Sequence, residues 1–197
     1  PILTLDQAQE AMAHHHILAL DLQDGQSVVD VGCGFGGTLR MVDNQILGKL
    51  TAVNFDARQL SLAREAPWRN PVDWLTCDAA AFSDGRTAWA DRILSLEALF
   101  HFPDPSGFFQ AAARALRPDG RLVVSTILME DGPSAQAVAK GFAPWPHPAT
   151  TLDDLTRMAG DAGLQVVKVE DLAPLCRPGF DWMCPPPPPQ VTDHPVI

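Results

Sequence analysis

The sequence predicts an α/β fold built on a doubly wound, mostly parallel sheet, and three observations carry that prediction. First, the apolar run Val28-Val29-Asp30-Val31 ends in the glycine cluster Gly32-Cys33-Gly34-Phe35-Gly36-Gly37, and a helical stretch follows from Thr38 to Leu47. Second, short apolar runs keep alternating with helical stretches, which implies right-handed crossovers and a sheet covered on both faces. Third, Asp104-Pro105 opens a helix through Leu116, and Arg117-Pro118-Asp119-Gly120 turns it into an apolar run at 121–127. Aspartate accepts free N–H groups at a helix start, and proline's fixed φ suits the first helical position.

The elements follow in order. Thr4 and Gln7 have the spacing of a capping box, and Leu5, Ala8, Met12 and Leu18 recur at roughly helical intervals, so 5–20 is expected as an amphipathic helix. Strands are expected at 28–31, 50–55, 72–77 and 91–96, with a helix at 57–66. The prolines and glycine of 129–150 indicate mainly loop, with room for a short helix at 134–140. Thr151 caps a helix whose apolar face is Leu152, Leu155, Met158 and Ala162, and a strand is expected at 164–170. Pro185 to Pro189 favour polyproline II, so 173–197 is expected as a tail beyond a single domain of 1–172.

At 197 residues, 46% hydrophobic and 19% charged, the chain can bury a substantial core and lacks the composition of a disordered segment. Twenty-four acidic residues against 14 basic ones give a formal charge of −10, which repels phosphate backbones and anionic membrane surfaces and argues against nucleic acid or a membrane as partner. No apolar run reaches the roughly 18 residues of a membrane span, and no basic-then-apolar leader opens the chain, so a cytoplasmic protein is expected. Cys33, Cys77, Cys176 and Cys184 lack zinc-type spacing and are expected as reduced thiols. His14-His15-His16 would point about 100° apart on a helix, so they cannot chelate one ion from it.

The glycine cluster alone fits two spacings, Gly32-x-Gly34-x-Gly36 and Gly32-x-Gly34-x-x-Gly37, and suits either a pyrophosphate or an amino-acid carboxylate at a helix N-terminus. The segments around it resemble, in order, those of the class I S-adenosylmethionine-dependent methyltransferases. Val28 to Gly36 is similar to the family's first motif and Leu75-Thr76-Cys77-Asp78-Ala79 to its third. Ala90 to Phe102 is similar to the fourth, and Ala115 to Leu122 to the helix-turn-strand that follows. The resemblance spans about residues 5–172, and the His101-Phe102-Pro103-Asp104 run is similar to that of small-molecule methyltransferases of specialised metabolism.

That resemblance implies a Rossmann-like sheet of six to seven strands, S-adenosylmethionine as cofactor with S-adenosylhomocysteine as product, and a small-molecule acceptor methylated on O, N or C. Only six strands are legible, so an uncovered edge and a homodimer are expected. The glycine loop, with Gly32, Gly34 and Gly36, is expected to meet the cofactor's carboxylate, and Asp30 or nearby carbonyls its ammonium. Asn54 takes the ribose position, where the family more often has a carboxylate, and shares it with Asp56. Phe55 is expected to cover the adenine and Asp78 to accept from its exocyclic amine, with Ala79 and Leu96 completing the cofactor contacts. The alternatives, Phe55 as strand core and Asp78 as the cap of a short helix, weigh less because both positions coincide with the motifs.

Methyl transfer from a sulfonium needs alignment and exclusion of water more than it needs a base. His101, after the fourth strand, is the first candidate base and Glu97 the second, while a structural hydrogen bond is the alternative for His101. There is no tyrosine to act as a phenolic base. Trp145 and His147 are expected to line the acceptor pocket with the first helix, and Phe100 and Phe102 to approach the sulfonium or pack in the core. Two other readings compete: an NAD-type oxidoreductase, which Asn54 disfavours because it supplies no acidic residue after the glycine loop, and a cofactor-binding protein without transfer activity.

Overall fold

The computed structural model describes residues 4–128 and 151–176. In chain order they form α1 (Leu5–Leu20), β1 (Ser27–Val31), α2 (Gly37–Gln45), β2 (Lys49–Asn54), α3 (Ala57–Arg64), β3 (Val72–Thr76) and β4 (Ala90–Leu96). A 3-10 turn (Leu99–His101), α4 (Pro105–Ala115), β5 (Leu116–Ser125) and α5 (Leu152–Asp161) follow. The sheet order is β3-β2-β1-β4-β5 and every described pairing is parallel. The order reverses between β1 and β4, and in such a sheet a crevice for ligands opens outside the carboxyl ends of those strands.

Both faces are covered, which explains why β1 is buried without alternation. Val28 packs with Ile17 of α1, Leu39 and Val42 of α2 and Leu60 of α3. Val29 and Val31 pack on the other side with Phe108, Ala111 and Ala112 of α4 and Ala159 of α5. Phe108 is fully buried, and burial of such a ring is worth about 2–3 kcal/mol.

Local signals set the helix ends. Thr4 and Gln7 form the capping box of α1. Asp104 accepts from the Gly107 N–H at 2.8 Å with Pro105 at the first helical position. Thr151 and Asp154 form a second capping box on α5. The C-terminus of α1 is held from the sheet: the Arg92 guanidinium donates to the Leu20 and Asp21 carbonyls, and Arg121 donates to the Ala19 carbonyl at 2.9 Å. Cations at a helix C-terminus satisfy its last carbonyls and oppose its dipole.

Three expectations need correction. The described sheet has five strands, not six to seven. The strand expected at 164–170 is irregular, and Val167 is 81% exposed; among the described residues it pairs with no strand, and an unpaired strand gains neither ladder bonds nor burial. The Arg117–Gly120 turn is a bulge inside β5. Pairing passes from Ala90 with Leu116 to Arg92 with Arg121, and Asp119 takes a φ of 64° in the extruded loop. Within the expected tail, residues 173–176 make one helical turn. The short helix expected at 134–140 and the rest of the tail lie outside the described residues.

Candidate functional site

A cleft of about 470 Å³, counted to its open mouth, lies at the carboxyl edge of the sheet. Its walls are Val31 and Gly32 after β1, Val53, Asn54 and Phe55 at the end of β2, Cys77, Asp78 and Ala79 after β3, and His101, Phe102 and Pro103 after β4. Parallel strands bring these segments together because all their carboxyl ends lie on one edge.

The glycine turn makes the floor. Gly32 and Cys33 both donate to the Val53 carbonyl, at 2.9 and 3.1 Å, and Gly36 donates to the Cys33 carbonyl at 2.8 Å. Among the described residues the N–H groups of Gly34 and Phe35 have no such acceptor. Gly32 has φ 81° and lies so close to the Ala98 side chain and the Phe102 ring that a Cβ has no room. Gly36 begins α2 at φ 77° without a side-chain cap.

Beneath this turn Asp30 is 2% exposed and its Oδ2 has no hydrogen-bond partner among the described residues. It lies between Ala52 and Leu94 in the middle of the sheet, and burial pushes its carboxyl up to about 7. An ionised carboxylate without a partner is costly there. Burial, and then Asp30 itself, push the neighbouring Cys33 thiol far up.

At the end of β2, Asn54 is buried; its Nδ2 donates to Gln59 Oε1 at 2.6 Å and its Oδ1 accepts from the Phe55 N–H at 3.2 Å. Phe55 is 74% exposed, so it is not strand core. Asp56 is committed elsewhere: it caps α3 by accepting from the Arg58 N–H and pairs with the Arg58 guanidinium at 3.0 Å, which holds its carboxyl below the usual range. Asp78 accepts from the Ala80 N–H at 2.8 Å through Oδ1, a capping contact.

His101 is exposed on the 3-10 turn, its ring 4.4 Å from that of Phe100. Phe102 is both cleft wall and core, packed on Phe108 at 5.1 Å. Glu97 is exposed, has φ 51°, and is tied to β5: its N–H donates to the Ser125 carbonyl at 3.0 Å and its Oε1 accepts from Ser125 Oγ at 2.8 Å.

The cleft therefore unites Gly32, Asn54, Phe55, Asp78, Ala79 and His101 of the expected residues. Asp30, Gly34, Gly36, Leu96 and Glu97 are not among its walls. Trp145 and His147 lie outside the described residues. Gln59 escaped the sequence reading; its signal was its place one turn into the helix that follows Asn54. On α1, His14 is exposed, His15 pairs with Glu170 at 3.3 Å and His16 is buried with Nδ1 on the Met12 carbonyl, so the three rings face different surroundings. No described helix is long and apolar enough to cross a membrane.

Comparison with known proteins agrees with this arrangement. The family model described as a methyltransferase domain matches residues 29–124. The chain is 27% identical to methyltransferase GfsG of Streptomyces halstedii, over 92% of this chain and 70% of that protein. It is likewise 27% identical to the 27-O-demethylrifamycin SV methyltransferase of Amycolatopsis mediterranei, over 90% of this chain and 68% of that one. The cyclopropane synthase MmaA2 of Mycobacterium tuberculosis shares the fold at a TM-score of 0.77 and 23% identity, covering 90% of this chain and 68% of that structure. Taken with the ordered motifs and the four segments that meet at one sheet edge, these matches support a class I S-adenosylmethionine-dependent methyltransferase.

Proposed function

We propose that the cleft holds S-adenosylmethionine and that the protein moves its methyl group to an O, N or C nucleophile of a small-molecule acceptor of the specialised-metabolite type. The observation that carries this is the convergence on one cleft of the glycine turn, the Asn54–Gln59 pair, Asp78 and His101. The cofactor supplies a methyl group already activated by the sulfonium charge. The free N–H groups of Gly34 and Phe35, at the start of α2, suit its carboxylate, and the orphaned Asp30 oxygen suits its ammonium. Asn54 and Gln59 suit the ribose hydroxyls, Phe55 the adenine face and Asp78 Oδ2 the exocyclic amine, with Ala79 and Leu96 alongside.

His101 is the base for an acceptor that must lose a proton, since it is exposed on the cleft wall within reach of a ligand entering from the mouth. Glu97, fixed to Ser125, flanks the acceptor side and is the second such group. The relative that methylates 27-O-demethylrifamycin SV supports an oxygen nucleophile on an apolar metabolite, and the charge of −10 supports a partner other than nucleic acid. Pairing of two copies along the outer edge of β5 would give a homodimer, which sedimentation showing only monomer at high concentration would exclude.

Calorimetric titration with S-adenosylhomocysteine, and with NAD in parallel, tests the reading. Binding of the first alone is expected, followed by transfer of labelled methyl to hydroxylated apolar acceptors. Binding of NAD alone would overturn it.

A further inference from the structure

Asp30 is a buried carboxyl with one oxygen unpartnered, set in the sheet two residues before the cleft-lining Gly32. The groups on the elements packed around it leave it uncompensated. On β4, Arg92 is two pairings away and is spent on the α1 carbonyls of Leu20 and Asp21. On α1, His16 has Nδ1 on the Met12 carbonyl; on α2, Asp43 is held by Arg69 and Asn70. Across from it stand Ala52 of β2 and Leu94 of β4, and in the glycine loop the Cys33 thiol stays neutral. Among the described residues the carboxyl thus has no cation paired with it.

We infer that Asp30 senses the amino-acid end of the cofactor: the incoming ammonium ionises it, so that cofactor binding expels a proton and favours ligands that carry a free α-amino group. This rests on the proposed cofactor site. The O–H bond of the neutral carboxyl breaks, the electron pair stays on Asp30 as the carboxylate that faces the ammonium, and the proton goes to buffer. An opposite charge in a low-dielectric site favours the ionised form, and with the carboxyl held near 7 in the ligand-free protein the exchange falls in the neutral range.

The experiment is calorimetry of the whole protein with S-adenosylhomocysteine in phosphate and in Tris, whose ionisation heats differ. We expect most of one proton released per ligand near pH ~6 and about half near pH ~7, with affinity rising several-fold between them. Asp30→Asn is expected to bind without that release. 5′-Methylthioadenosine, which lacks the amino-acid end, is expected to bind the native protein without it, a readout that does not depend on the variant folding. Binding of S-adenosylhomocysteine with buffer-independent heat, or equal release by methylthioadenosine, overturns the inference and leaves the cofactor site standing. Absence of any S-adenosylhomocysteine binding overturns both.

Discussion

Asn54 donates through Nδ2 to Gln59 Oε1 at 2.6 Å, so an amide pair closes the end of β2 where the family more often places a carboxylate. Asn54 Oδ1 already accepts from the Phe55 N–H and offers a ribose hydroxyl only a neutral acceptor. A carboxylate in its place would make a charge-assisted bond, roughly twice as strong. Asn54→Asp, with the Gln59 amide turned to donate, is expected to tighten S-adenosylhomocysteine binding about three- to tenfold by calorimetry. Weaker binding would show that the ribose is held elsewhere.

The glycine turn separates steric need from backbone need. Gly32 has φ 81° and faces the Ala98 side chain with the Phe102 ring 3.3 Å from where a Cβ would lie. Gly34 has φ 54° and nothing within 4 Å of that point. Gly32→Ala is therefore expected to cost about 2–4 kcal/mol and to abolish cofactor binding, whereas Gly34→Ala should cost about 1 kcal/mol. Urea unfolding of the two variants measures the difference, and equal costs would contradict the packing at Ala98.

His101 stands on the cleft wall against Phe100. If it takes a proton from an acceptor hydroxyl, His101→Gln should lower kcat by about 10²–10⁴ while the S-adenosylhomocysteine Kd stays within about twofold. Turnover unchanged with a lower unfolding midpoint would assign the histidine to the structure of the turn instead.

Asp30 makes stability depend on pH in an uncommon direction. Its carboxyl is raised from 3.8 to about 7 in the folded protein by burial, so the unfolded chain gives up the proton first. Stability is then fully present below the unfolded value and falls as pH rises toward the folded one, by an amount on the order of 4 kcal/mol between the two. Asp30→Asn removes this loss. Without ligand, the variant is expected to be the more stable protein near pH ~8, with the advantage shrinking near pH ~5. Denaturant curves at both values check this, and a constant difference would rule out the buried neutral carboxyl.

What the sequence by itself determined is local: the capping box Thr4–Gln7, Thr151 as the cap of α5, the Asp104–Pro105 helix start, and the strand, glycine turn and helix from Val28 onward. Each depends on groups within about four residues, where side chain and backbone meet whatever the rest of the chain does. Positions of motif residues at strand ends were legible for the same reason, since a parallel sheet sends every carboxyl end to one edge. Tertiary structure decided what depends on a distant partner. Residues 164–170 have strand-forming side chains and no described strand beside them; Asp56 pairs with Arg58 at the start of α3; and α3 turned back to bring Gln59 onto Asn54. It also left Asp30 Oδ2 without a partner among the described residues, because whether a buried carboxylate is paired is settled by the side chains that other elements carry to it across the sheet.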